Sequence, residues 1–403
     1  MILLLALACT STTIDPEQEQ QGVFSWVLPQ DVGTETTAGF FGPEEQDAIF
    51  DDIDLAEFAL EIDDDDVRKL EREVKGGDHE WVPATMIYKG VRYENIGVRL
   101  KGENSFLPFD EKPSLKLKFD KFQDGLRFAG LKELTLNNMS NDYSMMHERV
   151  SYKLMREAGI PASRCSHVTL QINGEDYGLY AGLEGVDKRM IARWLSDEGT
   201  MFEVWDVDFY DYYVDDFQVE FGEEDRSHIQ GSADAMERTS SKQALIALAD
   251  HMDVDQFVRF FAAESVIGQY DSYPYANPGD DAHIYVDPEI DRLIWLPHGM
   301  DETFYSPEKN PMEVNGIIAR RCIEVEECKA DYTAAVWELQ ALSEELDQGA
   351  YAREVRAQIS DLVENDPHRP YGMDYVNYYQ SAMIEFIDDR SEDLEVHLGP
   401  RPD

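Results

Sequence analysis

The hydrophobic pattern of this chain changes its period partway along, and that change limits the fold more than any other feature of the sequence. Between residues 80 and 120 apolar and polar residues alternate, as in "SLKLKF", where the two leucines would face one way and Lys116 and Lys118 the other. In the later part, segments such as "VDQFVRFFAAESVIG" repeat with helical spacing. A strand-rich N-terminal part followed by a helix-rich C-terminal part predicts an α+β fold.

Two predicted strands interrupt the helical part, and acidic residues surround them. "HIYV" and "RLIWLP" form a predicted hairpin joined by the turn "DPEID", and Asp301 follows the second strand. Asp271 comes just after the long helix that precedes the hairpin, and Asn277, Asp280 and Asp281 lie between. Carboxylate and amide oxygens suit Mg²⁺ or Mn²⁺ better than zinc. The order of these elements therefore predicts a divalent metal site near the hairpin.

The charge balance is extreme, because 83 acidic residues stand against 35 basic ones and the formal net charge is −48. A field of this sign repels nucleic acids and anionic membranes, so both are excluded as partners, and it attracts divalent cations. Lys112, Lys116 and Lys118 nevertheless form a local basic island. Two interpretations of the island stay open, namely the polar face of an edge strand and a site for an anion.

Phosphoryl transfer suits this set of residues. It needs a cation to hold phosphate oxygens, a lysine or arginine on the nucleotide, and a carboxylate to accept the proton of the attacking hydroxyl. Protein kinases place these groups in the order found here: a helix, a loop with Asp and Asn, a hairpin and a final metal-binding Asp. Aspartate is common in this chain, so the spacing alone does not distinguish this chemistry from a chance arrangement.

A combination of longer motifs gives a sharper indication. These are "IGVRLKGENSF" with "KPSLKLKF", "LTLNNMSNDYSMMHERVSYKLMREAGIPASR", "VTLQINGEDYGLYAGLEGVD" and "LIWLPHGMDETF". In order and spacing they resemble the CotH family of secreted or surface kinase-like proteins, over roughly residues 48 to 397. The resemblance implies an atypical protein-kinase-like fold with a reduced nucleotide lobe. It also implies transfer of phosphate from ATP to serine on a protein, with Mg²⁺ or Mn²⁺.

The resemblance also implies roles for single residues. Asp271 matches the acid of the catalytic loop and would orient or deprotonate the acceptor hydroxyl. Asp301 matches the acid that binds metal at the phosphates of the nucleotide. Lys116 or Lys118 would reach those phosphates, and Glu148 is the candidate to pair with that lysine. Strand alternation points both lysines to one face and does not choose between them.

The chain departs from the family pattern at two places. Where many relatives have Trp-Asp before the final Asp, it has His298 and Gly299, so one acid is missing. The Asn-rich turn of the family falls on Asp280 and Asp281, so either Asp281 or Asn277 would be the second metal ligand. Two alternatives to a protein kinase stay open: a non-catalytic surface binding protein on this scaffold, and transfer of a nucleotide monophosphate. A calcium-dependent adhesin is disfavoured because repeated calcium loops are missing.

The first residues resemble the end of a secretory signal. Residues 2 to 8 are apolar but too few to span a bilayer, and "LALAC" resembles a bacterial lipobox with Cys9 as the lipidated residue. We therefore predict an exported lipoprotein or surface protein that contacts a membrane only through a lipid on Cys9. The predicted divisions are a signal and tether at 1–22, a linker at 23–45 and a CotH-like domain at 46–400, with a strand-rich lobe at 46–190 and a helical lobe at 191–400.

Three further cysteines are present, namely Cys165, Cys322 and Cys328. The last two flank "IEVEE" and could close a short disulfide in an exported protein, while unpaired buried thiols are the alternative. The sequence has no CxxC pair and no Cys/His cluster with zinc spacing, so a zinc site is not predicted.

Overall fold

The computed structural model describes residues 41–42, 45–50 and 55–402. The predicted signal and tether, with Cys9, lie outside the described residues, as does most of the predicted linker. Within the described part, the protein is a mixture of helices and strands, with most strands in the first half and most helices in the second. The predicted order of a strand-rich and a helix-rich part is therefore confirmed.

The described residues form eleven strands and eleven α-helices. The strands are β1 (Ala56–Glu61), β2 (Val82–Tyr88), β3 (Val91–Lys101), β4 (Ser114–Lys118), β5 (Glu133–Asn137), β6 (Cys165–Ile172), β7 (Glu175–Glu184), β8 (Thr200–Val204), β9 (Gln218–Phe221), β10 (Ala282–Asp287) and β11 (Arg292–Pro297). The α-helices are α1 (Glu45–Ile49), α2 (Asp64–Leu70), α3 (His147–Glu157), α4 (Lys188–Ala192), α5 (Ser227–Met236), α6 (Ser241–Leu248), α7 (Val254–Ile267), α8 (Ile317–Ile323), α9 (Glu326–Glu345), α10 (Gln348–Asn365) and α11 (Met373–Leu398).

The first seven strands close into a barrel in the order β1-β2-β3-β4-β5-β7-β6, with β1 and β6 joined in parallel. Leu115 and Leu117 are fully buried in the barrel core, while Lys116 and Lys118 alternate with them and remain partly exposed. The alternation predicted from "SLKLKF" is therefore confirmed. Because a closed barrel has no free edge, the backbone groups of each strand are satisfied by its two neighbours.

The second sheet has the order β11-β10-β8-β9, and all its pairs are antiparallel. The predicted hairpin is β10 and β11, with Asp287 opposite Arg292 at its turn. The helix α7 packs on β11, and its apolar residues share one core with Trp295 and with the later helices. As the last strand in this order, β11 forms an edge of the sheet.

The C-terminal helices include a break that the sequence pattern does not predict. Apolar spacing predicts a single helix over about 332–364, whereas the structure has α9 and α10, separated at Asp347. Asp347 adopts a left-handed φ of 49°, and its carboxylate accepts a hydrogen bond from the N–H of Ala350 at 3.2 Å. The first helix therefore ends there, and the second begins with Asp347 as its N-cap.

A buried amide fixes α7 to β11. Because β11 is an edge strand, the backbone groups of Trp295 have no strand partner on one side. Gln256 of α7 is 1% exposed; its Nε2 donates to Trp295 O at 2.7 Å, and its Oε1 accepts from Trp295 N at 2.8 Å. The helix therefore satisfies the edge strand in place of a further strand, and this sets where the helix ends relative to the hairpin.

A buried ion pair ties the barrel to the end of α10. Lys112, just before β4, and Asp366, just after α10, have side chains that are 1% and 0% exposed and contact each other directly. Asp366 also accepts the backbone N–H of Leu179 at 2.9 Å. Lys112 therefore has a structural role, and the basic island expected from the sequence loses this member.

The described cysteines have distinct states. Cys322 and Cys328 form a disulfide with Cα atoms 5.1 Å apart, so the disulfide is the correct alternative for this pair. Cys165 is a buried free thiol. As to a membrane, none of the helices in residues 55–402 combines the length and apolar character that crossing a bilayer requires.

Gln256→Met should destabilise the protein, because it keeps the side chain's length but leaves both backbone groups of Trp295 buried without partners. Each such group costs about 1–3 kcal/mol, so we expect a clearly lower midpoint in urea unfolding followed by tryptophan fluorescence. Gln243→Met, at an exposed position of α6, is the matched control and should leave the midpoint in place. Equal midpoints for the two variants would contradict the role of Gln256.

Glu264 is another buried polar residue of α7, and its carboxylate differs from the amide of Gln256 in having no hydrogen-bond partner among the described residues. The residue has no exposed surface. Burial raises the pKa of Glu264 well above its usual value. The folded protein thus keeps this proton to a higher pH than the unfolded chain does. Folding stability therefore falls as the pH rises from the ordinary value of 4.5 towards the raised one.

Glu264→Gln removes this titration, so its melting temperature relative to the wild type should increase between about pH 5 and about pH 8. The slope of that difference, measured by differential scanning calorimetry, is the readout, because the absolute value also includes the new amide. Glu264→Leu should give the same slope. Glu345→Gln, at the exposed end of α9, should give none, and a flat difference for both Glu264 variants would refute the assignment.

Candidate functional site

The lysines of β4 share one partner on the outer face of the barrel. Lys116 and Lys118 place their Nζ atoms 3.1 and 2.7 Å from the two carboxylate oxygens of Glu133 on the neighbouring strand β5. The prediction that both lysines point to one face is consistent with this shared contact. The expected pairing with Glu148 is not what the structure has, because Glu133 takes both ammonium groups.

Glu148 belongs instead to a network with Lys101, the last residue of β3. Lys101 Nζ donates to Asn137 Oδ1 at 2.8 Å, and Asn137 Nδ2 donates to Glu148 Oε1 at 2.6 Å. Glu148 is 2% exposed, and its Oε2 has no hydrogen-bond partner among the residues that the structure describes. Burial raises the pKa of Glu148 well above its usual value; the charge of Asp301 adds to the rise and that of Lys101 opposes it.

Two carboxylates come from the hairpin to the same region. Asp281 immediately precedes β10 and Asp301 follows β11, and the pairing of Ala282 with Pro297 brings these two ends of the hairpin together. Burial raises the pKa of Asp281 well above its usual value, and the charge of Asp301 adds to the rise. Burial also raises the pKa of Asp301, while the charge of Lys101 opposes that rise. The two acids and the lysine therefore act on one another.

Three hydrogen bonds hold the two ends of the hairpin in place. Gln269 Nε2 donates to Gly299 O at 2.5 Å and lies 3.4 Å from Asp281 Oδ2, and His298 N donates to Asp281 O at 3.2 Å. Gly299 has a left-handed φ of 56°, which suits glycine. A Cβ at this position would lie 2.0 Å from Asp281 Oδ1. The carboxylate of Asp281 therefore occupies the space that a side chain at position 299 would need.

Asp271 follows α7 and its side chain is exposed, as the sequence predicts, whereas Ser272 and Tyr273 after it are buried. Its backbone N–H donates to Gln269 Oε1 at 3.2 Å. Burial, and after it the charges of Asp301 and Asp271, raise the pKa of Glu302 to about 7. Burial lowers the pKa of Lys309, and the charge of Asp271 opposes that change. Asp271 thus faces the side of the site that is open to solvent.

The predicted metal ligands do not form a complete cage. Asn277 is exposed, whereas Asp281 and Asp301 are partly shielded from solvent. In the described part of the chain, no group of three or more His, Cys, Asp or Glu side chains is arranged to hold a metal ion. A cation at Asp281 and Asp301 would therefore need further ligands, such as phosphate oxygens or water.

Sequence interpretation missed Lys101, Asn137 and Gln269. Lys101 and Asn137 each end a strand, inside the motifs "RLKGENS" and "LTLNN", and Gln269 comes two residues after the end of α7. The signal they share is a polar residue at the point where an apolar pattern stops. That signal identifies the end of an element, whereas the choice of partner depends on strand register.

Comparison with known proteins identifies a family whose model matches this chain. The family described as "CotH kinase protein" matches residues 98–394, well over half of the chain. Among curated proteins, inner spore coat protein H of Bacillus subtilis (strain 168) is 22% identical over 364 residues, which cover 85% of this chain and 97% of that protein.

Two solved structures are also similar over most of the chain. The Helicobacter pylori proinflammatory kinase CtkA is 7% identical over 81% of this chain and 96% of its own. HipA of Shewanella oneidensis MR-1, in a complex with HipB and operator DNA, is 13% identical over 74% of this chain and 67% of its own. Both TM-scores are 0.28, which is too low to support an argument. By the match over residues 98–394, the chain belongs to the CotH kinase protein family.

Proposed function

We propose that this protein is an exported protein kinase that transfers the γ-phosphate of ATP to serine on another protein, with Mg²⁺ or Mn²⁺. Its family is described as one of kinase proteins, which supports the general class. The network of Lys101, Asn137 and Glu148 beside Asp281 and Asp301 carries the proposal. A partly buried lysine next to paired acids is suited to hold nucleotide phosphates together with a divalent cation.

We assign an atypical kinase-like arrangement to the two halves of the chain. The barrel, within 46–190, would be the nucleotide lobe, and 191–400 would be the lobe that carries the acids. Lys101 belongs to the barrel, whereas Asp281 and Asp301 flank the hairpin of the second sheet. This origin of the site from both halves supports binding of ATP between them.

Among the lysines, we assign the phosphate contact to Lys101 rather than to Lys116 or Lys118. Burial lowers the pKa of Lys101, and the charge of Glu148 opposes that change. Lys116 and Lys118 already share an ion pair with Glu133. Lys101 has only the neutral amide of Asn137 as a direct partner among the described contacts, so its charge is more available to an anionic ligand.

A divalent cation fits the acids of the site. Burial raises the pKa of Asp281 and the charge of Asp301 adds to the rise, while Glu148 Oε2 has no hydrogen-bond partner among the described residues, so a positive charge would relieve repulsion between these carboxylates. Asp281 and Asp301 would hold the cation, and exposed Asn277 is the less suitable second ligand. When bound, such an ion supplies charge neutralisation for the phosphate oxygens.

Asp271 would accept the proton of the serine hydroxyl. General bases of this kind must reach the acceptor, and the exposed side chain of Asp271 is accessible to a protein substrate. Its hydrogen bond to Gln269, which also bonds Gly299, links the loop to the metal-binding end of the hairpin. Gln269 would therefore hold Asp271 at a fixed position relative to the acids that bind the metal and the phosphates.

An extracytoplasmic location completes the proposal. The similarity to an inner spore coat protein supports a place in a surface layer. The predicted signal with Cys9 as a lipidated residue agrees with export and with attachment through a lipid.

Incubating the purified mature protein with γ-labelled ATP, and separately with α-labelled ATP, tests this function directly. Casein and histone serve as general acceptors, with Mg²⁺ or Mn²⁺ present. We expect metal-dependent γ-label on serine, identified by mass spectrometry. Asp301→Asn should abolish the transfer, and Asp271→Asn should slow it by about 10²- to 10⁴-fold, the usual contribution of a general base.

Glu289→Gln is the matched control, because it removes one exposed charge from the far turn of the same hairpin. Its transfer should equal that of the wild type. Incorporation of α-label would instead establish transfer of a nucleotide monophosphate. No label from either nucleotide, together with no rise in melting temperature when ATP and metal are added, would overturn the proposal in favour of a non-catalytic binding protein.

Gly299→Ala should impair transfer by about 10²-fold, since small misplacements at a reacting centre have effects of that size. The added methyl group would meet the carboxylate of Asp281, whose Oδ1 lies 2.0 Å from the position of the new Cβ. Gly174→Ala is the control, because Gly174 also has a positive φ but no atom within 4 Å of the added Cβ. Both variants place a side chain at a positive φ, but only Gly299→Ala also displaces Asp281, so equal transfer rates would argue against the placement of Asp281.

A further inference from the structure

His147 connects the helix of Glu148 to the metal-binding end of the hairpin. It is the first residue of α3, next to Glu148, and is 1% exposed. Its Nδ1 lies 3.0 Å from the backbone oxygen of Asp301. Since a carbonyl oxygen only accepts hydrogen bonds, Nδ1 must carry the proton and donate it.

The other contacts of His147 hold its ring in this orientation. Its backbone N–H donates to Asp142 Oδ2 at 2.7 Å, and Asp142 Oδ1 lies 3.6 Å from Nδ1. The ring packs against Tyr305 and Phe304, with centroids 4.5 and 5.6 Å away. Nε2 is buried and has no hydrogen-bond partner among the described residues, so the hydrogen bond to Asp301 O is the shorter of the two polar contacts of the ring, the other being with Asp142.

Further contacts join the same two segments. Tyr305 Oη accepts from Tyr143 N at 2.9 Å and donates to Asn141 O at 2.8 Å. Ser151 Oγ and Thr303 Oγ1 are 2.9 Å apart. These bonds attach the segment after Asp301 to α3 and to the loop before it. Within this set, only the bond of His147 reaches Asp301 itself.

We propose that His147 is a positioning residue, which fixes the backbone of Asp301 relative to Glu148 so that the metal-binding acid and the Lys101 network are set together. The inference rests on the function proposed above, because it assigns a role within that site. His147 is buried at the start of α3, so a protein substrate cannot reach it as a proton acceptor. Its Nδ1 already donates a hydrogen bond to the backbone oxygen of Asp301. Its effect on transfer is therefore exerted through Asp301.

The position of one carbonyl matters because the carboxylate of Asp301 is attached to the same residue. Turning this peptide moves the carboxylate away from Asp281 and from the Lys101 network. Groups that orient metal ligands in this way typically change metal affinity or activity by about 10- to 100-fold when they are removed. The expected signature of losing His147 is thus a higher metal requirement rather than a general loss of folding.

Two substitutions separate positioning from packing. His147→Asn places its amide nitrogen near the position of Nδ1 and can still donate to Asp301 O, whereas His147→Gln places its amide near the position of Nε2. Both remove the aromatic ring and so lose the same contacts with Tyr305 and Phe304. Comparing them isolates the hydrogen bond.

The measurements are the Mn²⁺ concentration that gives half-maximal γ-phosphate transfer and the Mn²⁺ concentration that gives half of the metal-induced rise in melting temperature, each recorded for every variant. We expect His147→Gln to raise both concentrations by about 10- to 100-fold, and His147→Asn to restore them to within about threefold of the wild type. Equal metal requirements in the two variants, with equal losses of melting temperature, would overturn the inference and leave His147 a packing residue. A wild-type protein without transfer would instead refute the proposed function, so the two failures are distinct.

Discussion

The pair of hydrogen bonds between Gln256 and the backbone of Trp295 is the constraint on which the site depends. These bonds attach the start of α7 to the edge strand β11. Further along, Phe304 N donates to Ile267 O, the last residue of the helix, at 2.8 Å. Between the two attachments, the end of the helix and the end of the strand are held side by side. The loop after α7 and the segment after β11 therefore begin in the same region, which is why one acid from each can serve one site.

The end of α7 is stabilised from the far C-terminal part of the chain. The last carbonyl oxygens of a helix have no partner within the helix and carry partial negative charge. Arg390 of α11 is 2% exposed, and its guanidinium donates to Val266 O at 3.0 Å and to Ser265 O. The cation thus satisfies these carbonyl oxygens where the loop with Asp271 begins. Elements that are distant in sequence therefore fix the start of this loop, which explains why Asp271 can be exposed and still have a defined position.

The alternation of "SLKLKF" was enough to predict which side chains of β4 enter the barrel, because inward and outward positions follow from the two-residue period of a strand. It was not enough to predict the partner of each lysine. Lys101 reaches Glu148 only through Asn137, at the end of another strand, and this contact depends on the register of β3, β4 and β5. The break at Asp347 was missed for a similar reason, since a left-handed residue does not alter the hydrophobic period.

The acids of the site also oppose the stability of the fold. Burial raises the pKa values of Glu148, Asp281 and Asp301 in a chain of formal charge −48, and Glu148 Oε2 has no hydrogen-bond partner among the described residues. A chain selected for stability alone would neutralise or expose them, as it does for Glu133 with its two lysines. Local departures of this kind are found mainly where a ligand supplies the missing interaction. The cation and the anionic ligand proposed for this site would supply the interactions that the acids beside Lys101 lack.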